Sequence, residues 1–166
     1  MTFRSKDQAA VSLYADSGIF MLVTDDENIR SCAAGIDSET GFSEVSDFFL
    51  SLTSRDVLAL EEIENKISGL EDELMTSNRA DSKFNISIVK LRKEVLSLKR
   101  YHIQMEFLSD ELAELDNRFS FVEKKFNRLL EFALHLQEYV EQVREAYQSQ
   151  LDIEQNSIMK FFTVVT

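Results

Sequence analysis

Ser120-Phe-Val-Glu-Lys-Lys-Phe-Asn-Arg-Leu-Leu-Glu-Phe-Ala-Leu-His-Leu-Gln-Glu-Tyr-Val-Glu-Gln-Val-Arg-Glu-Ala-Tyr147 is the stretch that decides the fold. No Gly or Pro interrupts it, or the run that follows to Thr166. Apolar or aromatic residues recur at Val122, Phe126, Leu129, Ala133, Leu136, Val140, Val143 and Tyr147, in alternating steps of four and three. This is the heptad rhythm of a helix lying along other helices. Ser120 and Glu123 stand at capping-box spacing, which predicts where the helix begins. Continued to Thr166, such a helix runs about 70 Å, more than twice the width of a small domain.

Past Tyr147 the rhythm fails. Gln150 and Glu154 fall where the seam wants apolar residues, and then Ile158, Met159, Phe161, Phe162, Val164 and Val165 crowd round the helix. A helix apolar on every side is buried in protein or in lipid. The crowded run is far shorter than the roughly twenty residues a bilayer crossing needs. It reads as the first turns of a membrane span.

The run Tyr147-Gln-Ser-Gln-Leu-Asp-Ile-Glu-Gln-Asn-Ser-Ile-Met-Lys-Phe-Phe-Thr-Val-Val-Thr166 resembles the stalk-to-membrane junction of the CorA family of magnesium and divalent-cation transporters. There an Asn-x-x-Met-Lys-x-x-Thr stretch leads into the first transmembrane helix. Here it is Asn156-Ser-Ile-Met159-Lys160-Phe-Phe-Thr163. The upstream order is also similar: a β-rich piece, an acidic helix, a basic helix and the stalk. The family's Gly-Met-Asn signature lies beyond the end of the sequence. The resemblance implies the cytoplasmic region of such a transporter, truncated where the first membrane helix starts, its parent residing in the cell (inner) membrane.

Composition bounds the alternatives. One cysteine, Cys32, excludes an internal disulfide framework and suits a reducing compartment. The net charge of −12 argues against nucleic acid and anionic lipid and favours cations, although solubility alone also accounts for it. Met1-Thr-Phe-Arg-Ser-Lys6 lacks the apolar core of a signal peptide. There is no phosphate loop, nucleophile elbow or zinc motif, so an enzyme is not expected. His102 sits on a helix seam and reads as a packed core histidine; His135 lies beside the stalk seam.

The expected fold class is α+β and predominantly helical. Residues 1–41 form the remnant of an N-terminal α/β cap, 42–118 a helical hairpin, and 119–166 the stalk. Val11–Tyr14 and Ile19–Thr24 read as strands around the turn Ala15-Asp-Ser-Gly18. Ile19–Val23 is apolar on both faces, which predicts a central, covered strand. Its partners are expected before Met1 or from another chain. Asp25–Asn28 closes the hairpin, and Gly35–Gly41 is a loop. Helical pattern runs from Phe42 or Ser43 to about Met75, breaks at Thr76–Ser82, and resumes from Phe84 to Leu112. The first of these helices is acidic (Asp56, Glu61, Glu62, Glu64, Glu71, Asp72, Glu73) and the second basic (Lys83, Lys90, Arg92, Lys93, Lys99, Arg100). They are expected to fold back antiparallel with opposite charges facing.

The resemblance singles out further residues. It puts Asn156 in a ring of asparagines, Met159 at a hydrophobic gate, and Phe162 one turn further where many members carry Leu. From the residues alone, helix packing or lipid contact accounts for Met159 and Phe162. In the family a carboxylate near the top of the stalk lets Mg²⁺ bridge subunits, but the corresponding position here is Phe121. Glu123, Glu145, Asp25 and Asp26 are the candidates left for a regulatory metal. The resemblance further implies Mg²⁺ as cargo (Co²⁺, Ni²⁺ or Zn²⁺ being alternatives) and a homopentamer whose stalks couple cytoplasmic Mg²⁺ to pore closure. The rival reading is a coiled-coil scaffold or adaptor with no ion-related task, supported by the heptad spacing on all three long helices.

Overall fold

The computed structural model describes residues 2–5, 9–16, 19–34, 42–76 and 82–165. Ala10–Asp16 (β2) pairs antiparallel with Ile19–Thr24 (β3), Val11 opposite Thr24 and Asp16 opposite Ile19. The expected hairpin is present; residues 17–18 of its turn lie outside the described part. Thr2–Arg4 (β1) adds to the other side of β2, Phe3 opposite Val11. Phe3, Val11 and Leu13 point into the core while their neighbours face out, the period of two that one covered sheet face requires.

The strand order β1-β2-β3 corrects one expectation. Among the described residues β3 lies at the edge of the sheet and not at its centre, and its Met21 and Val23 are exposed. The third strand, Thr2–Arg4, pairs with β2 and so puts β2, not β3, in the middle of the sheet. β1 in turn is tied to the helical body: the Arg4 amide donates to Gln104 Oε1 at 2.9 Å.

Asp26 starts helix α1 (Glu27–Ala33), its carboxylate accepting the Asn28 and Ile29 amides at 2.9 and 3.0 Å. This satisfies donors that the first turn of a helix leaves open. The loop expected at Gly35–Gly41 lies outside the described residues. So does the break between the next two helices, at residues 77–81.

Helices α2 (Phe42–Thr76), α3 (Ser82–Leu115) and α4 (Ser120–Val165) form the body. Asp56 faces His102 and Lys66 faces Glu94, so α2 and α3 run antiparallel. Arg92 pairs with Glu141 and Lys99 donates to Gln137, so α4 reverses direction again. Phe49 meets Phe119 edge-on, and Tyr139 bonds Glu71 further along, which sets α4 parallel to α2. Every seam residue from Val122 to Tyr147 is buried, in one continuous core with the sheet, as the alternating spacing predicts.

Two local expectations are corrected. Ser120 does not cap α4: its backbone is already helical, and its hydroxyl bonds Asn117 Oδ1 at 2.7 Å. Asp116 does the capping instead, on a single 3₁₀ turn (Asn117–Phe119) that swings the chain from α3 into α4. The opposite charges of α2 and α3 also do not face one another. An exposed ion pair between them joins Lys66 to Glu94 at 3.2 Å, the minority charge of each helix. Glu61, Glu62, Asp72 and Glu73 face solvent and make no ion pair among the described residues. Core seams, worth about 1.5–3 kcal/mol per fully buried large apolar side chain, set the helix rotation; exposed ion pairs, worth under about 1 kcal/mol each, follow it.

Candidate functional site

Among the described residues Tyr147 is the last buried one of α4, 7 % exposed, and its ring stacks on Phe84 near the start of α3. Leu151 still touches the core edge. From there the helix runs on for about 20 Å to Val165. Ile153, Ile158, Met159, Phe161, Phe162 and Val164 on this length are all more than half exposed, Val164 by 86 %. The hydroxyls are satisfied within the helix itself: Ser157 donates to the Ile153 carbonyl at 2.9 Å and Thr163 to that of Met159 at 2.8 Å. What the tip offers a partner is therefore mostly hydrocarbon, sulfur and aromatic surface.

Asn156, Met159 and Phe162 all lie beyond Leu151 and all are exposed. Their spacing of three keeps them near one side of the helix. The four carboxylates weighed for a regulatory metal are scattered. Glu123 is half-buried in the first turn of α4, while Glu145 is exposed further along the same helix. Asp25 is exposed beside Asp26, and Asp26 is buried and committed to capping α1. No group of three or more His, Cys, Asp or Glu among the described residues is arranged to hold a metal ion.

A second polar grouping escaped the sequence reading. Asp56, counted there among the charges of the acidic helix, is 1 % exposed, between α2 and α3. The Tyr101 hydroxyl hydrogen-bonds it, and fully buried His102 brings Nδ1 within 3.8 Å of Asp56 Oδ2. Burial first, then the Asp56 charge and hydrogen bond, push the Tyr101 phenol well above its ordinary range. A cleft of about 300 Å³ opens here between the cap and the helices, lined by Ser5, Asp26, Arg55, Asp56 and Tyr101 among others. The signal was present: Leu52, Asp56 and Leu60 are spaced by four, so Asp56 occupies a seam position. His102, read as a core histidine, is one.

The helical body thus sends one strut past its core, and the end of that strut is apolar and exposed. The family model described as CorA-like Mg²⁺ transporter protein matches residues 2–166. The chain belongs to the CorA-like Mg²⁺ transporter family. A comparison with the curated proteins finds no match. Membership makes the chain a component of a Mg²⁺ transporter and does not favour the scaffold reading. No helix among the described residues is long and apolar enough to cross a membrane.

Proposed function

We propose that α4 is the stalk of a Mg²⁺-conducting homo-oligomer and that its free tip forms one wall of the pore entrance. The observation that carries this reading is the overhang: an apolar run that leaves its own bundle instead of folding into it. Parallel stalks from several subunits would turn Asn156, Met159 and Phe162 towards a shared axis. Mg²⁺ sheds its water reluctantly, so a ring of Asn156 amides suits contact through the hydration shell. A collar of Met159 and Phe162 excludes water and stops a hydrated ion until it widens.

The same assembly gives a route for regulation by cytoplasmic Mg²⁺. An ion that binds between subunits better in the closed arrangement biases the stalks towards closure. Glu123 and Glu145 are the stalk acids weighed for that role, with Asp25 on the cap. Asp26 is occupied by its helix cap. The test of the gate is Mg²⁺ influx through the transporter carrying Met159→Gly. Influx that persists at high internal Mg²⁺ supports the collar; unchanged closure removes Met159 from it.

A further inference from the structure

The cap, α2 and α3 meet beside one buried histidine. His102 of α3 is fully buried, and its Nδ1 lies 3.8 Å from Oδ2 of Asp56 on α2. The Tyr101 ring stands edge-on to the imidazole, with centroids 5.1 Å apart. Its hydroxyl bonds Asp56, and a phenol that donates suits an ionised carboxylate. Asp26, 7 % exposed, brings a second buried carboxylate to the same cleft from the start of α1.

The other charged groups around this joint lie towards water. On α2, Arg55 lines the mouth of the cleft, exposed and without an ion pair among the described residues. On the cap, Arg4 and Glu27 are exposed, and exposed Arg30 donates to the Thr24 carbonyl. On α3, Lys99 is held by Gln137, Glu106 is half-buried and Arg100 is exposed. Between the levels of Phe119 and Gln137, α4 buries Val122, Phe126, Leu129, Ala133 and Leu136, none of them titratable. Its charged residues there, Glu123, Lys124, Lys125, Arg128 and Glu131, are exposed or half-buried.

With a neutral imidazole the joint therefore holds two buried anions. A proton on His102 turns one of them into an ion pair. Burial alone favours the neutral ring, but a buried carboxylate left without a counter-charge costs more than the pair does.

We infer that His102 is a proton-operated latch: its imidazolium, paired with Asp56, holds the cap, α2 and α3 together, and loss of that proton loosens the cleft between them. An unfolded histidine releases its proton at about pH 6.5, and the folded pair holds it longer. The latch is thus complete below about pH 6.5 and is lost as pH rises through the folded value. It concerns the cap joint alone and stands whether or not the tip of α4 lines a pore.

Imidazole ¹⁵N NMR of the chain from about pH 5.5 to about pH 9 tests the charge, with His102 assigned by the signal missing from His102→Gln. The ring is expected to be an imidazolium at about pH 7, releasing its proton about one unit or more above exposed His135 in the same spectra. Asp56→Asn is expected to lower that midpoint by about one unit or more. Hydrogen exchange tests the latch. Corrected for its intrinsic pH dependence, exchange in α1 and around Asp56 is expected to be about tenfold faster at about pH 9 than at about pH 6. In His102→Gln it should be fast at both. A neutral His102 ring at about pH 7 overturns the inference, as does a midpoint that Asp56→Asn leaves in place. So does exchange at the joint that ignores the release of the proton, or that stays slow in His102→Gln. Should a variant fail to fold, the wild-type titration and exchange still decide.

Discussion

Tyr147 lies on Phe84 with ring centroids 4.7 Å apart and planes 26° from parallel, and this stack closes the helical body. Before it the seam of α4 is core; past Leu151 the large apolar side chains of α4 are exposed. The two lengths of one helix should answer mutation differently. Tyr147→Ala removes a buried ring and is expected to cost about 3 kcal/mol. Phe162→Ala, with its ring 66 % exposed, is expected to stay within about 0.5 kcal/mol. Urea unfolding of both variants checks the contrast, and equal losses would mean that the tip packs onto its own chain.

The Tyr101 hydroxyl serves Asp56 where water does not reach, so Tyr101→Phe is expected to cost about 1–3 kcal/mol at neutral pH. The sign with pH follows from the raised phenol. The unfolded chain gives up this proton near pH 10, an ordinary tyrosine value, while the folded chain holds it. Stability from Tyr101 is thus complete below about pH 10 and is lost as pH rises towards the folded value. Wild type should therefore lose more stability than Tyr101→Phe above that point. Urea melts from neutral to strongly alkaline pH measure the gap, which should narrow; a constant gap contradicts the burial of a protonated phenol.

Gly69 sits inside α2, and a Cβ built there meets nothing within 4 Å. Glycine inside a helix costs about 0.5–1 kcal/mol relative to alanine through the freedom of the unfolded chain. Gly69→Ala is therefore expected to stabilise the protein by about that amount. A fall in the thermal midpoint would show that another surface comes close to this point.

What the residues disclosed and what they hid divide along physical lines. The Val122–Tyr147 seam was legible because α4 packs along nearly all of it, so burial and spacing coincide. His102 was legible for the same reason. Asp56 was not, because its charge was given more weight than its place between Leu52 and Leu60. The expectation that α2 and α3 pair through opposite charges failed because helix rotation obeys the core, leaving Glu61 and Lys93 pointing outward. That β2 is the middle strand was hidden because Thr2–Arg4, which pairs with it, offers only one buried side chain, Phe3, too little periodicity to mark a strand. Asn156, Met159 and Phe162 were found by resemblance, and their exposure is what the structure adds.

The central claim is that the free end of α4 borders the path of the ion. Its most direct test is Mg²⁺ influx into proteoliposomes holding the transporter with Cys32→Ser and Met159→Cys, before and after a membrane-impermeant thiol reagent. Cys32 is the chain's sole cysteine, so the introduced thiol is the target on this chain. The account predicts that labelling blocks about 90 % of influx, because a charged adduct on the collar obstructs a hydrated cation. Full labelling with undiminished influx would place Met159 away from the path and contradict it.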